Sequence, residues 1–252
     1  MTELSYQLYS ARNFPPLSDH LRFLASLGYK QVEGYGGLYA GTDLAALRAE
    51  LDGLGLSMPT AHVGLPQLED TEGTRRIAAA LGIKVLFCPA VSREERTRGE
   101  AGWRALGEKL AGLAAVYAAD GVGFGWHNHD FEFTPNESGT VPLDLILAGS
   151  PDLQWEADVA WMQVGGQDPD AWIAKYADRL TAVHVKDIAP AVESEHEDGW
   201  ADVGHGIMPW GALMKTLSTQ TACKYFVMEH DNPSDANRFA ERSIKALRAM
   251  GY

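Results

Sequence analysis

The strongest constraint on the fold is the regular alternation of short apolar segments with longer amphipathic ones along the whole chain. The longer segments have the spacing of apolar residues that predicts helices buried on one face. The short ones are typical of buried strands and lie at residues 4–10, 30–36, 57–63, 84–90, 122–129, 153–159, 180–186 and 224–230. Strands that alternate with helices form a parallel sheet covered by helices.

Eight such units in 252 residues predict an α/β fold, a closed (β/α)8 TIM barrel, with one domain over residues 1–252. A doubly wound open sheet is the alternative. Residues 188–210 form the least regular stretch, which is acidic and follows the seventh predicted strand. A long loop at this point is expected to lie on the catalytic face of a barrel.

Capping residues predict where several helices begin and end. Ser18 and Thr42 are predicted N-caps of the first two helices, which Gly28 and Gly55 are predicted to end. Asp168 stands at an N-cap position directly before a proline, as is common at the start of a helix.

The charge of the chain narrows the classes of partner. With 34 acidic and 21 basic residues, the formal net charge is -13, so the chain repels nucleic acids and anionic membrane surfaces. The first residues lack the basic and apolar regions of a signal peptide, and no apolar stretch approaches the roughly 20 residues that span a bilayer. We therefore expect a cytoplasmic protein with a small-molecule partner.

Polar side chains gather where the predicted strands end, which is where TIM barrels carry their chemistry. Because side chains alternate across a strand, Glu156 and Asp158 point the same way, and so do His184 and Lys186. Glu132 lies beyond its strand, so alternation does not set its direction. The residues at these ends are Glu33, His62, His127, His129, Glu132, Glu156, Asp158, His184, Lys186 and Glu229.

Several buried carboxylates at one barrel mouth are costly unless a cation compensates for them. Mixed Asp, Glu and His side chains suit a divalent ion such as Mn²⁺, Mg²⁺, Co²⁺ or Zn²⁺. Structural alternatives remain for single residues: Lys186 forms an ion pair with Glu156, Asp187 caps the following turn, and Trp126 packs outside the barrel.

Five segments carry a resemblance to a known family: WHNHDFEF (126–133), WEADVAW (155–161), HVKDI (184–188), DVGHGIMPW (202–210) and VMEHD (227–231). The chain resembles the sugar phosphate isomerase/epimerase group of the xylose-isomerase-like TIM barrels. The resemblance implies one divalent metal ion, held at the ends of strands five to eight. The implied ligands are Glu132, Asp158, His184 and Glu229.

The fifth strand leaves its ligand open. Some relatives have a glutamate within this strand, where the present chain has Gly125. His127 and His129 are therefore alternatives to Glu132 as the metal ligand from this strand.

The implied chemistry is isomerisation or epimerisation of a sugar by proton abstraction next to a carbonyl, through a metal-stabilised enediolate. Glu132 and Glu229 are the expected catalytic pair. The sequence has no glycine-rich phosphate cradle at a helix start, which favours an unphosphorylated sugar or cyclitol. The residues expected to bind this substrate are Glu33, His62, His127, His129, Trp161 and Lys186.

Three other functions remain open at the level of sequence. A dehydratase, lyase or hydrolase of a keto-sugar or cyclitol would begin with the same proton abstraction on the same metal site. An endonuclease of abasic DNA shares this barrel, but the acidic charge argues against it. A non-catalytic sugar-binding or partner subunit is an alternative of another class. Homodimers are common among relatives, and the sequence offers no independent indication of the oligomeric state.

Overall fold

The computed structural model describes residues 2–136, 138–190 and 197–252. Eight parallel strands form a closed barrel within these residues, which confirms the predicted (β/α)8 fold. In chain order the strands are Leu4–Gln7, Gln31–Tyr35, Ser57–His62, Val85–Cys88, Gly123–His127, Gln154–Asp158, Leu180–Val185 and Tyr225–Met228.

Each barrel strand pairs with its neighbours along the chain, and the first pairs with the eighth. The pairing of Leu4 with Phe226 closes the ring. A closed ring has no edge strand with unpaired backbone groups, so the doubly wound alternative is excluded.

Helices surround the barrel, and within the described residues none is long and apolar enough to cross a membrane. The α-helices are Leu17–Leu27, Gly36–Tyr39, Leu44–Leu54, Leu65–Glu69, Thr71–Leu81, Arg93–Arg96, Gly99–Ala118, Pro142–Leu147, Val159–Val164, Pro169–Lys175, Trp210–Gln220 and Ala236–Ala249. Two short 3-10 helices, Leu8–Ala11 and Phe131–Phe133, follow the first and fifth strands.

Most of the predicted helix ends are confirmed, and two N-caps are corrected. Gly28 and Gly55 end their helices with φ of 93° and 67°, a left-handed conformation that glycine adopts without strain. The second predicted helix is capped by Asp43 rather than Thr42, because the Asp43 carboxylate accepts from two backbone N–H groups. Ser18 lies inside the first helix.

Asp168 is the N-cap of Pro169–Lys175, as predicted, and accepts a hydrogen bond from the backbone N–H of Asp170. Ser18, which was predicted to cap the first helix, donates a hydrogen bond from its hydroxyl group to Glu50.

The interior of the barrel is divided into an apolar and a polar part. Val85, Phe87 and Ala182 form a separate buried cluster packed against Tyr225, towards the amino-terminal ends of the strands. The inward side chains nearer the carboxyl ends are polar. Burying many polar groups requires that each finds a partner, and this requirement shapes the site.

The loop after the seventh strand is held by Asp187. Its carboxylate accepts hydrogen bonds from the backbone N–H groups of Gly204 and Gly206 at 2.8 and 3.1 Å, and from Met208 at 2.9 Å. This geometry confirms that Asp187 caps the turn. Asp187–Ile188 also pairs antiparallel with Trp200–Ala201, whereas residues 191–196 of the predicted loop lie outside the described residues.

Candidate metal centre and substrate cavity

Three side chains meet where strands six, seven and eight end. One ligand atom from each of Asp158, His184 and Glu229 lies within 4.8 Å of the other two. His184 Nδ1 is 3.8 Å from Asp158 Oδ2 and 3.9 Å from Glu229 Oε2. All three residues are buried. The structure therefore brings together three of the four metal ligands that the resemblance implies.

Asp158 has one carboxylate oxygen in use and one spare. Its Oδ1 accepts from the backbone N–H of Trp161 at 2.9 Å and so caps the helix Val159–Val164. The Asn128 side chain bonds both the N–H and the carbonyl of Asp158, at 3.1 and 3.0 Å, which holds the backbone in place. Asp158 Oδ2 is buried without a hydrogen-bond partner. Because such orphaned atoms are rare in native proteins, this oxygen suits a cation.

Lys186 is the cation that touches this group. Its ammonium donates to Glu229 Oε2 at 2.8 Å and to Asp231, and it lies 4.0 Å from the centre of the Trp200 ring. Among the described residues, Lys186 does not form the ion pair with Glu156 that was the structural alternative at the level of sequence. Asp231 was missed at the level of sequence, although its two-residue spacing from Glu229 favours the same side of the chain.

A second group lies beside the first and shares His184. His62 is hydrogen-bonded to Glu156 through Nε2, and His127 Nδ1 lies 3.3 Å from Glu156 Oε2. His184 Nε2 lies 3.6 Å from the same oxygen and 2.8 Å from Glu33 Oε1. His184 therefore presents Nδ1 to one group of ligand atoms and Nε2 to the other.

The site contains more negative than positive charge. Burial and the neighbouring Asp231 raise the pKa of Glu229 to about 7, although Lys186 opposes the shift. Burial and the adjacent Glu33 raise the pKa of Glu156 well above its usual value. Lys186 is the permanent positive charge that pairs with carboxylates of this network among the described residues. The carboxyl groups of the network are Glu33, Glu156, Asp158, Glu229 and Asp231.

The same excess of negative charge affects the pKa of His184. Burial lowers it, but the carboxylates of Glu156, Asp158 and Glu33 raise it well above the usual value. A bound divalent cation would replace a proton on this ring and compensate for the carboxylates. The carboxylates of Asp158 and Glu229 and the imidazole of His184 therefore fit such an ion, with Asp158 Oδ2 as the spare buried oxygen.

Glu132 is not part of the group, contrary to the expectation from the resemblance. The chain turns into the 3-10 helix Phe131–Phe133 directly after the fifth strand. Glu132 is fully buried there and accepts from Trp126 Nε1 at 3.0 Å and from the backbone N–H of His129 at 2.9 Å. Trp126 points outward, as alternation predicted, so this carboxylate lies on the helix side of the strand.

The fifth strand also leaves no room for a ligand at Gly125. A Cβ atom at this position would overlap the carbonyl oxygen of Gln154 on the sixth strand. His127 and His129 remain the polar inward side chains of this strand, and both have a buried Nδ1 without a hydrogen-bond partner.

A cavity of about 480 Å³ opens above the metal-ligand group. It is large enough for a small ligand. Of the six residues predicted to bind substrate, Glu33 does not line it, because the Glu33 carboxylate lies behind His184. The other five are His62, His127, His129, Trp161 and Lys186, and the lining also includes His184, Glu229, Asp231, Gln7, Tyr9 and Tyr35.

Trp161 adds an aromatic ring to the lining of this cavity. Its ring packs edge-on against Trp200, with 4.6 Å between centroids, and lies 5.6 Å from the His129 ring. Sequence reasoning did not identify Gln7 or Tyr9, because a glutamine and a tyrosine near the end of the first strand are not distinctive in type.

Comparison with known proteins agrees with this fold. The family model of the xylose isomerase-like TIM barrel matches residues 21–250, and the chain belongs to that family. One curated relative is the rhizopine catabolism protein MocC of Rhizobium meliloti, 32% identical over 98 residues. That match spans 39% of this chain and only 29% of the relative's length.

Solved structures share the fold across nearly the whole chain. A sugar phosphate isomerase/epimerase from Parabacteroides distasonis superposes with a TM-score of 0.82 at 22% identity, covering 98% of this chain and 94% of the other. A probable 3-DHS dehydratase, AsbF from Bacillus anthracis, gives 0.76 at 14% identity over 98% and 99%. The zinc-containing IOLI protein gives 0.73 at 13% identity over 99% and 96%. These likenesses show the fold.

We predict that Glu132→Gln leaves metal binding intact and flattens the pH dependence of stability. Burial raises the pKa of Glu132 from 4.5 to about 8, so the folded state holds this proton more tightly than the unfolded state. The free energy of unfolding then falls as pH rises between these values, by up to about 1.4 kcal/mol for each unit. A glutamine, neutral throughout, removes this contribution.

Urea unfolding of both proteins at about pH 5 and about pH 8 measures the difference. Metal analysis of the variant is the companion measurement. If Glu132→Gln lost its metal, the ligand set implied by the resemblance would be restored.

Proposed function

We propose that this chain is a divalent-metal-dependent isomerase or epimerase of an unphosphorylated sugar or cyclitol that carries a carbonyl group. The observation that supports it most directly is the convergence of Asp158, His184 and Glu229 at a cavity of about 480 Å³. Three protein ligands leave coordination positions open, as catalytic metal sites require. The binding of a divalent ion at these three residues is itself part of the proposal.

When bound, the ion would polarise a carbonyl and stabilise the negative charge that develops on its oxygen. Glu229 is the proposed base. In the metal-free chain burial and Asp231 raise its pKa to about 7; a bound divalent ion would lower it and keep the carboxylate ionised, the form that accepts a proton in general-base catalysis. The 2.8 Å bond from Lys186 Nζ holds Glu229 Oε2 in place.

The same carboxylate also serves to return the proton. Glu132, the other expected catalytic residue, is turned away from the cavity and bonded to Trp126. A single carboxyl group that removes a proton and delivers it to the neighbouring carbon carries out the carbon part of an isomerisation, and the hydroxyl proton must also pass to the former carbonyl oxygen. An epimerisation needs an acid on the other face of the same carbon.

The remaining cavity residues bind and orient the substrate. The rings of Trp161 and Trp200 offer an apolar surface to the face of a sugar ring. Burial lowers the pKa of His129 to about 4 and the pKa of His62 to about 3, so both are neutral near pH 7. Neutral imidazoles donate and accept hydrogen bonds, which suits sugar hydroxyls.

The comparisons support the proposal in kind. Relatives in fold include a sugar phosphate isomerase/epimerase and a protein with a bound zinc atom. A dehydratase also shares the fold, and elimination begins with the same proton removal. A dehydratase or lyase of a keto-sugar or cyclitol is therefore the second candidate. A binding subunit would not need the spare oxygen of Asp158.

Deuterium exchange tests the proposal. The protein is loaded with Mn²⁺, Co²⁺ or Zn²⁺ and incubated in heavy water with ketoses, inososes and 3-keto-glycosides. Proton NMR is expected to show deuterium at the carbon next to the carbonyl, together with an isomer of the substrate. Loss of water or of the glycosidic group would assign the chain to the lyase alternative. Absence of exchange in every metal-loaded sample would reject both enzymes.

A further inference from the structure

We propose that Gln7 and Glu33 determine which nitrogen of His184 carries a proton, so that Nδ1 is the atom available to a cation. Both are positioning residues that act through His184. The inference rests on the metal centre proposed above and deepens it. It assigns Glu33 a role different from the substrate contact expected from its place on the second strand.

A backbone N–H group sets the orientation of the Gln7 amide. Its Oε1 lies 3.0 Å from the backbone nitrogen of Tyr9. A backbone N–H only donates, so the atom that faces it is the amide oxygen. The NH₂ group of Gln7 therefore points the other way and donates to Glu33 Oε1 at 2.7 Å. The contact with a backbone N–H therefore distinguishes the oxygen of the Gln7 amide from its nitrogen.

Glu33 links Gln7 to the ring of His184. The same Glu33 Oε1 lies 2.8 Å from His184 Nε2, and both residues are almost completely buried. A carboxylate oxygen that accepts from Gln7 also accepts from the ring, so His184 Nε2 carries a hydrogen. In a neutral imidazole the other nitrogen then bears the lone pair. His184 Nδ1 is buried and has no hydrogen-bond partner.

Two groups of ligand atoms share His184. One group uses Nε2 with His62, His127 and Glu156, and the other uses Nδ1 with Asp158 and Glu229. A neutral imidazole ring has one nitrogen lone pair for a cation. Because Nε2 carries the hydrogen that it donates to Glu33, this lone pair is on Nδ1. The hydrogen-bond chain therefore selects the group of Asp158 and Glu229. Partners of this kind orient many metal-bound histidines.

An exchange of the two side chains tests the chain of bonds. In Gln7→Glu/Glu33→Gln the net charge and the number of heavy atoms stay the same, but the polarity reverses. The carboxylate at position 7 accepts from Tyr9 N–H and requires a donor from position 33. The amide NH₂ at position 33 then faces His184 Nε2, which must accept. His184 is left with its hydrogen on Nδ1.

Glu33→Gln alone is the matched control. Gln7 still donates towards position 33, so the new amide directs its oxygen there and His184 Nε2 still has an acceptor. If Glu33 contributed only negative charge, the order would be the opposite: the single variant would lose metal affinity and the exchange would keep it. The two explanations therefore predict that different variants lose metal affinity. Hydrogen-bond polarity predicts the loss in the exchange variant, and charge alone predicts it in Glu33→Gln.

Two measurements are made on the folded proteins. NMR of nitrogen-labelled histidine in the metal-free chain, recorded at a pH high enough for the His184 ring to be neutral, reports whether Nε2 is the protonated nitrogen, with the signal assigned by its loss in His184→Asn. We expect a protonated Nε2 in the wild type and in Glu33→Gln, and a bare Nε2 in the exchange variant. Competition with a chelator is expected to show roughly 10- to 100-fold weaker Zn²⁺ binding in the exchange variant alone.

The outcomes separate this inference from the proposed function. A bare Nε2 in the wild type, which needs no variant to detect, overturns the inference, and so does a protonated Nε2 in the exchange variant. Wild-type protein that shows the expected NMR pattern but takes up no Zn²⁺ or Mn²⁺ rejects the metal-dependent function while the hydrogen-bond chain stands.

Discussion

Asp158→Asn/His184→Ala is expected to abolish divalent metal binding without unfolding the barrel. The asparagine keeps an oxygen for the N–H of Trp161, which Asp158 Oδ1 now accepts at 2.9 Å, and asparagine is as good an N-cap as aspartate. Its NH₂ group replaces the spare oxygen Oδ2 and does not bind a cation. Removing the His184 imidazole takes away a second ligand of the three.

Metal analysis after loading with Mn²⁺, Co²⁺ or Zn²⁺ checks this result. The wild type is expected to hold one ion per chain, and the double variant to bind at least about 100-fold more weakly, since loss of outer-shell partners alone costs up to this factor. Glu132→Gln, another buried carboxylate near the same strands, is the control that keeps its metal. Equal metal content in wild type and double variant would place the ion elsewhere.

Glu229→Gln is expected to lower the rate of deuterium exchange by about 10²- to 10⁴-fold, the usual contribution of a positioned general base. The amide oxygen is still available to Lys186 and to the metal, so metal content is expected to fall much less than the rate. The physical reason is that an amide has no basic oxygen near neutral pH, whereas burial and Asp231 bring the pKa of Glu229 to about 7.

Asp231→Asn is the matched control for Glu229→Gln. Asp231 also bonds Lys186 and lines the cavity, but it is not among the three ligand residues. We expect a smaller loss of exchange in this variant, measured at saturating metal on the same substrate. If Asp231→Asn lost as much as Glu229→Gln, or more, the base would be reassigned to Asp231.

Alternation of side chains predicted much of the candidate site. It placed Asp158 on one side of its strand together with Glu156, and His184 together with Lys186, and the structure shows all four buried inside the barrel. The rule holds because a strand is a local structure with a period of two residues. It stops where the strand stops, and Glu132, five residues beyond the end of strand pairing, is the residue whose direction it did not give.

The choice of partner between side chains of neighbouring strands was outside the reach of local patterns. Lys186 pairs with Glu229 and Asp231 of the eighth strand region rather than with Glu156 of the sixth. Glu229 and Glu156 are both acidic and both point inward, so the alternation of side chains allows either of them as the partner of Lys186. The choice depends on the stagger of strands around the barrel, which is a property of closure and not of any one segment.

By itself, the sequence determined that the chain forms eight strand–helix units and carries its acids and histidines at the carboxyl ends of strands. The period of each segment is local information, and only one arrangement buries eight such units without an edge. Only the tertiary structure decided that Glu132 turns back to Trp126, and that Glu33 reaches His184, 151 positions away along the chain. Those bonds form because barrel closure brings polar groups together in a dry interior, where each must find a partner.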